Sequence, residues 1–594
     1  MDLVALAREA RVSRDFTELR VYADWLEQQG DPARGALLHL QCELAELSVH
    51  ERRAHEARWE ILALVAEHGK RWRAELPAIE GIEWTDFELG CIAGARVRDV
   101  DHLMRHAEAL ASEGLVDRIE LVSDAGAIDP DIQLDFIETV RVRLSSRPTR
   151  ALGLGTKLEL VGDADTAIDE ISRRRPLQRL AIAGASEIGG ALVDELAGAK
   201  WAARMTELEI PTLHEGDNSG YAADPTLGVE GATRLVALKA LERVNIDRQR
   251  VTTAGLKKLA AGLPHLRSLS ARECGSGKLT LGKGASLVEL DLSRNALKND
   301  GVRALVNEPR LTELHRLVLD TCELESLALS AIIAAPMWNT LRVLDLSRNP
   351  LGAGGARTLA DAPAPEQLHT LAIADTDLDD KGHAAIAKVP WLGQLLALDL
   401  SGNMLGRGSV ALRAIAPDRL RRLALSSTGM ERADAAALAR FWPHLVELEL
   451  ANNPFGDAAL ERFAVMRDAT RLQSLDLRNC ALTDDGLDML GNARCPQLRT
   501  LLLGHNIFGR GLVPFLATAV CARLEVLDLS HCALPATAID ALAKAPPPRL
   551  RELDLRGHAL SVNALLALAR APALRAVKLH LQGAPWTYPD AARD

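Results

Sequence analysis

From Leu287 onward, apolar and polar positions repeat with one spacing, Leu-x-x-Leu-x-Leu-x-x-Asn/Cys/Thr. Leu287, Leu290, Leu292 and Asn295 set it; Leu314, Leu317, Leu319 and Cys322 follow, then Leu341, Leu344, Leu346 and Asn349, then Leu368, Leu371, Ile373 and Thr376. Further copies begin at Leu395, Leu420, Leu445, Leu472, Leu498, Leu524, Leu550 and Leu574. These twelve copies advance by about 26 residues each, a period of the class about 20–29 residues long that stacks one strand and one helix per unit. The x-Leu-x-Leu centre alternates with period two and predicts a short strand with leucines on one face. A stretch such as Asp484-Asp485-Gly486-Leu487-Asp488-Met489-Leu490 then shows helical spacing, with Asp484 or Asp485 placed to cap it. Prolines at 309, 336, 390, 443, 496 and 572 close many units. Stacked in parallel, such units predict an α/β solenoid, a right-handed horseshoe with strands on the concave face and helices on the convex face.

The ninth position reads Asn295, Cys322, Asn349, Thr376, Asn403, Thr428, Asn453, Cys480, Asn506, Cys532. Asn there can satisfy backbone groups in the turn that leaves the strand, and Cys or Thr can replace it as a small filler. This alternation, with its period, resembles the ribonuclease-inhibitor subclass of leucine-rich repeats. The resemblance implies that Cys322, Cys480 and Cys532 are buried structural thiols. Upstream the pattern weakens: Leu266, Leu269, Ala271 and Cys274 form one copy, Leu241, Val244 and Ile246 another, and Val116, Ile119 and Leu121 the earliest. The segment 211–225 reads as a protruding loop.

Residues 1–75 carry no repeat. Phe16, Leu19, Tyr22, Trp25 and Leu26 fall on one face of an amphipathic helix, Gly30-Asp31-Pro32 stops it, and a second helix begins near Arg34. A helical module there would shield the first leucines of the array from water. The stretch Arg20 to Gly35, with Leu38, Leu40 and Gln41, resembles the repeat-companion domain that begins many bacterial leucine-rich-repeat proteins. The expected organisation is therefore a capping module at 1–75, irregular repeats at 76–240, regular repeats at 241–583 and a short tail at 584–594.

Composition sharpens this. Hydrophobic residues are 48% of the chain and aromatics only 3%, which suits thin aliphatic layers better than one large globule. A formal charge of -11 argues against nonspecific binding to nucleic acid or to an anionic membrane. The N-terminus carries charges every few residues and lacks a signal-peptide core, and no apolar run of about 18 residues occurs, so a cytoplasmic protein with reduced cysteines is expected.

Catalytic and metal motifs fare poorly. Gly277 to Gly284 nearly matches a phosphate-binding loop, but residue 284 is Gly where Ser or Thr would hold magnesium, and only a short link separates Leu266 from Leu287. Asp377 to Gly382 has Lys381 at a ligand position of a calcium loop and Lys388 where Glu is needed. His505 and His531 sit on adjacent rungs without a carboxylate partner. No catalytic residue, cofactor or metal site is expected.

Function is expected on the concave face. The position between the second and third leucine reads Asp291, Val318, Asp345, Ala372, Asp399, Ala424, Glu449, Asp476, Leu502, Asp528, Asp554, with Arg294, Arg348, Arg422, Arg478 and Arg556 at flanking positions. Such a row is either solvated repeat filler or an acidic groove for a protein partner with a basic surface. On the second reading, reversing Asp345, Asp399 and Asp476 to Lys weakens binding with little effect on stability. A binding scaffold, monomeric when unbound, is the favoured class. The alternative, by resemblance to a GTPase-activating family built on similar repeats, is a regulator of a nucleotide-dependent partner, with Asn452 or Asn479 reaching the nucleotide.

Overall fold

A computed structural model of the chain describes residues 3–47, 52–123, 137–143, 157–161, 177–183, 190–198, 200–211, 227–404, 412, 415–431, 434–457, 460–461, 469–558, 560–575, 577–581 and 584–586. The 211–225 loop lies, but for Pro211, outside these residues. The chain divides into two compact units: residues 1–323 with 334–343, and residues 324–333 with 344–594.

The first unit opens with four helices, α1 (Leu3–Ser13), α2 (Thr17–Gln28), α3 (Pro32–Glu46) and α4 (Arg52–Ala74). Asp31 caps α3 by accepting from the Arg34 N–H at 3.3 Å, and Pro32 fills its first position, where its missing donor costs nothing. Phe16, Leu19, Ala23, Leu26 and Leu38 pack together as a core. Trp25 departs from the expected face: it is 47% exposed, and Ala23 takes the inward position. The ladder also begins earlier than the repeat pattern suggests. Gly94–Val97 pairs antiparallel with Ile82–Trp84 and parallel with Arg118–Leu121. Parallel pairing continues rung by rung through Arg243–Asn245 and Glu289–Asp291 to Arg316–Val318.

In the second unit, Thr370–Ala372 begins a parallel run that reaches Lys578–Leu581. Register is fixed by one leucine per rung: Leu371, Leu398, Leu423, Leu448, Leu475, Leu501, Leu527, Leu553 and Leu579 are cross-strand partners, each 0–1% exposed. Burying one such side chain contributes about 1.5–3 kcal/mol, and slipping by one residue would turn the whole row to water. Ala584–Trp586 then pairs antiparallel with Lys578–Leu581. Helices such as Gly352–Asp361, Ala536–Lys544 and Val562–Arg570 separate the strands. The helix Asp484–Gly491 is capped by Thr483, whose hydroxyl accepts from the Asp485 N–H at 3.3 Å, while Asp484 accepts from the Gly509 N–H on the next rung at 2.7 Å. The cap therefore belongs to Thr483 and not to either aspartate.

Buried asparagines tie the rungs. Asn453, wholly buried, accepts from the N–H groups of Thr428 and Met430 at 3.1 and 3.0 Å and donates to the carbonyls of Leu425 and Leu450, both at 2.8 Å. Asn295, Asn403 and Asn506 repeat the pattern. Because one Asn serves two N–H groups of the preceding rung, the ninth residue of that rung need only donate backward. Cys480 does so to Leu450 O at 3.2 Å and Thr428 to Leu425 O at 2.7 Å. That division of labour accounts for the alternation of Asn with Cys or Thr. Two ninth-position residues escaped the sequence pattern. Gln249 bonds to Ile210 O and the Leu227 N–H, and His558 to Leu529 O at 2.7 Å.

Candidate functional site

The strands of the second unit bury their central leucine; Thr370–Ala372, Ala397–Asp399, Glu447–Glu449 and Thr500–Leu502 leave both neighbours half-buried, whereas the fifth-position residues Ala424, Asp476, Asp528 and Asp554 are buried. Pleating sends those neighbours to the face opposite the leucine core. The result is a set of rows one strand apart, roughly 4.8 Å per step.

The fifth-position row contains Asp345, Asp399, Glu449, Asp476, Asp528 and Asp554, all in the second unit; Asp291 and Arg294 belong to the first. These aspartates are not free surface charges. Oδ1 of Asp345, Asp399 and Asp528 accepts from the backbone N–H two residues on, in Ser347, Ser401 and Ser530, at 2.8–2.9 Å. Asp291 holds both the N–H and the hydroxyl of Ser293. Asp476 and Asp554 do the same for Arg478 and Arg556, and each is then covered by that arginine, with Nη2–Oδ2 distances of 2.6 and 2.5 Å. Asp476 is 5% exposed and Asp528 8%. The row is thus a series of Asx turns shaping the exit from each strand, a role the Asp-x-Ser/Arg spacing could have signalled. Lys at these positions cannot accept those N–H bonds, so charge reversal is expected to cost stability as well as charge.

Arginines complete the electrostatics. Arg422 lies between Glu447 and Glu449, at 3.3 and 2.8 Å. Burial works against its charge, and the Glu449 hydrogen bond with the surrounding carboxylates outweighs that, so its pKa is raised. Burial likewise opposes the ionisation of Asp554, but hydrogen bonds from Arg556 prevail and hold its pKa below the ordinary value. Carboxylates still outnumber guanidinium groups along the fifth row.

The eighth position forms a second row that sequence reasoning noticed only at isolated residues. Its backbone is left-handed on rung after rung: Arg348 (φ 55°), Ser427 (56°), Asn452 (59°), Asn479 (53°), His505 (60°) and His531 (55°), with Gly402 and Gly557 among them. Such a conformation costs a non-glycine residue roughly 1–2 kcal/mol. Each turn regains a backbone bond to the next rung, as from the Asn479 N–H to Gly504 O at 2.8 Å. Asn479 donates to Asn452, and Asn452 to Ser427, at 3.0 and 3.1 Å, so the two asparagines proposed to reach a nucleotide are joined in one exposed amide ladder. The His505 and His531 rings stack at 4.4 Å, only 11° from parallel.

A leucine-rich-repeat family model matches residues 285–306, 339–360, 443–464 and 470–491. The fold is a leucine-rich-repeat solenoid. Over 342 residues, 53% of this chain, it is 27% identical to the ribonuclease inhibitor of Sus scrofa, covering 72% of that protein. The Mus musculus ribonuclease inhibitor is 28% identical over 46% of the chain and 66% of its own length. Human NACHT, LRR and PYD domains-containing protein 5 is 31% identical over 35% of the chain but only 18% of its own length. The chain is thus similar to the ribonuclease inhibitors over most of their length and to a small part of a larger protein.

Within the solenoid the other sequence candidates resolve as architecture. The stretch at 277–284 leads into no helix: the buried Arg310 guanidinium occupies the space, donating to the carbonyls of Ala285, Ala260, Leu281 and Leu266. Asp379, from the would-be calcium loop, caps a helix through the Gly382 N–H at 2.9 Å. All eight cysteines are buried and reduced, and burial pushes the Cys322, Cys480 and Cys532 thiols up to about 12. Among the described residues no cluster of three or more metal-ligating side chains occurs, and no helix is long and apolar enough to cross a membrane.

Proposed function

We propose that the protein is a binding scaffold, with no catalytic step of its own, whose half-exposed strand face in the second unit clasps a protein partner. The observation that carries this reading is the half-exposed display of third- and fifth-position side chains on Thr370–Ala372, Ala397–Asp399, Glu447–Glu449 and Thr500–Leu502, on a face whose opposite side is filled by the leucine core. Similarity to proteins named as inhibitors of ribonuclease supports it, since their name states action on another protein. Rigid strands hold contact groups in place before binding, which lowers the entropy cost of association.

The partner presents a basic surface. Asp399 and Glu449 supply the acidic component, Arg422, Arg478 and Arg556 the cationic groups beside them, and Ala372 and Leu502 the apolar contacts. Asp345, Arg348, Asp476, Asp528 and Asp554 shape this face through their turns, as Asp291 and Arg294 do within the first unit. The N-terminal helices act as a companion module of the type that begins many bacterial leucine-rich-repeat proteins, the chain works in the cytoplasm, and it is monomeric until bound.

Because the aspartates also hold turns, the test uses alanines. Ala372→Arg with Ala397→Arg adds bulk and positive charge to the strand face, whereas Arg357→Glu alters a helix. In affinity capture from native lysate, a protein retained by the wild type and by Arg357→Glu but lost with the double variant is the expected outcome. Equal retention by all three forms would remove the strand face from the binding reaction.

A further inference from the structure

Within the first unit, the N-terminal helices and the first strands leave a cavity of about 850 Å³ between them. Sites that enclose small molecules run to roughly 300–1,000 Å³. One wall is apolar, built from Phe16, Leu44 and Ala45 of the helices α2 and α3 and their junctions, Ile61 of α4, and the Phe87 ring. The rest of the lining is largely charged. Arg118, Thr139, Lys157 and Arg179 are register partners on four consecutive parallel strands, so their side chains form one row. At about 4.8 Å per strand that row runs roughly 14 Å. Arg11 and Arg14, at the end of α1, complete the lining.

The charge balance is unusual for this chain. Five cationic side chains line the cavity against three carboxylates, in a protein whose formal charge is -11. The carboxylates are already engaged. Arg11 holds Glu88 and Asp117 at 2.8 and 2.6 Å, Arg118 shares both, and Lys157 holds Glu138 at 2.7 Å. Arg179 reaches Glu207 and Glu209 at 3.4 and 2.9 Å. The Arg14 guanidinium has no carboxylate within salt-bridge reach among the described residues, and its left-handed backbone, with the N–H bonded to Ala10 O, fixes where the side chain departs. An apolar wall and a row of cations lining a space of this size match a ligand with an apolar body and an acidic group, which would withdraw the hydrocarbon from water and give the surplus cation a charge-assisted partner.

We propose that this cavity binds a small amphipathic anion, an aryl or alkyl carboxylate, sulfonate or phosphate, with its body on Leu44, Ile61 and Phe16 and its acidic group toward Arg14 and Lys157. The site is distinct from the strand face of the second unit and does not depend on that reading.

The probe is 8-anilinonaphthalene-1-sulfonate, titrated into the full chain and followed by fluorescence, with uncharged N-phenyl-1-naphthylamine as the comparator. Saturable one-to-one binding of the sulfonate is expected. Arg14→Gln with Lys157→Gln should weaken the sulfonate by about tenfold or more while changing the neutral dye by less than about twofold. Ala45→Trp, which places a bulky ring in the apolar lining without altering charge, should weaken binding of both by about tenfold or more. Near-ultraviolet circular dichroism establishes that each variant is folded, and if one is not, the other decides. Non-saturable binding by the wild type, wild-type affinity in Ala45→Trp, or an equal loss of both dyes in the double variant would overturn the proposal.

Discussion

Replacing Asn453 with Ala tests the internal logic of the rungs. The side chain is wholly buried and meets six polar partners: the N–H groups of Thr428 and Met430, the Thr428 hydroxyl, and the carbonyls of Leu425, Leu450 and, at 3.4 Å, Ala451. Alanine leaves the two backbone N–H groups without an acceptor in a dry interior. Each such group costs about 1–3 kcal/mol, so the pair amounts to roughly 2–6 kcal/mol. The hydroxyl can still donate to Leu425 O at 2.7 Å, and each carbonyl retains a second lone pair, so those partners add little. Asn452→Ala is the control one residue away. It loses only exposed contacts and places Ala in a left-handed turn, for about 1–2 kcal/mol. Guanidinium denaturation followed by circular dichroism gives the global change, and amide exchange gives the local one, with the Thr428 and Met430 protons losing protection. If Asn453→Ala costs under about 1 kcal/mol, or those amides remain protected, the buried amide is not what holds successive rungs.

The aspartate row gives a related test. Reversing Asp345, Asp399 and Asp476 to Lys together should lower the melting temperature, at about 1 kcal/mol for each lost turn bond, nearly additively because the sites share no partner. Leu400→Ala, at a site with no exposed surface, should cost about 2–5 kcal/mol in the same denaturation assay. No cysteine should react with a thiol reagent at pH 8 in the native protein, and eight should react after unfolding. Stability should fall in alkali: an unfolded thiol ionises near about 8.5, whereas burial keeps Cys480 and Cys532 protonated to about 12. Their contribution is intact below pH 8.5 or so and is lost progressively as the pH rises toward 12.

The rung architecture was legible because one rule, an aliphatic residue at fixed spacing, dictates both register and core. Leu371, Leu398 and their partners could be paired from the sequence. What escaped lies where one residue serves two purposes. Asp399 looks like surface charge when read across the sheet, yet its Oδ1 belongs to a local turn that only the Asp-x-Ser spacing reveals. Gln249 and His558 do the work of Asn with different chemistry, so a search for Asn passes over them. The strand at Gly94–Val97 extends the ladder ahead of the copy at Val116, Ile119 and Leu121, but it carries none of the repeat's leucines by which to find it. Arg310 satisfies four carbonyls from well-separated segments, a convergence no local pattern encodes.

The most direct test of the account places a photoactivatable crosslinker at Ala397, on the strand face, or at Arg357, on a helix, and irradiates each form in native lysate. A protein adduct from position 397 that is absent from position 357, and that disappears in the presence of excess unlabelled wild-type chain, is the predicted result. Specific adducts arising only from position 357 would contradict it and move the binding surface to the helices.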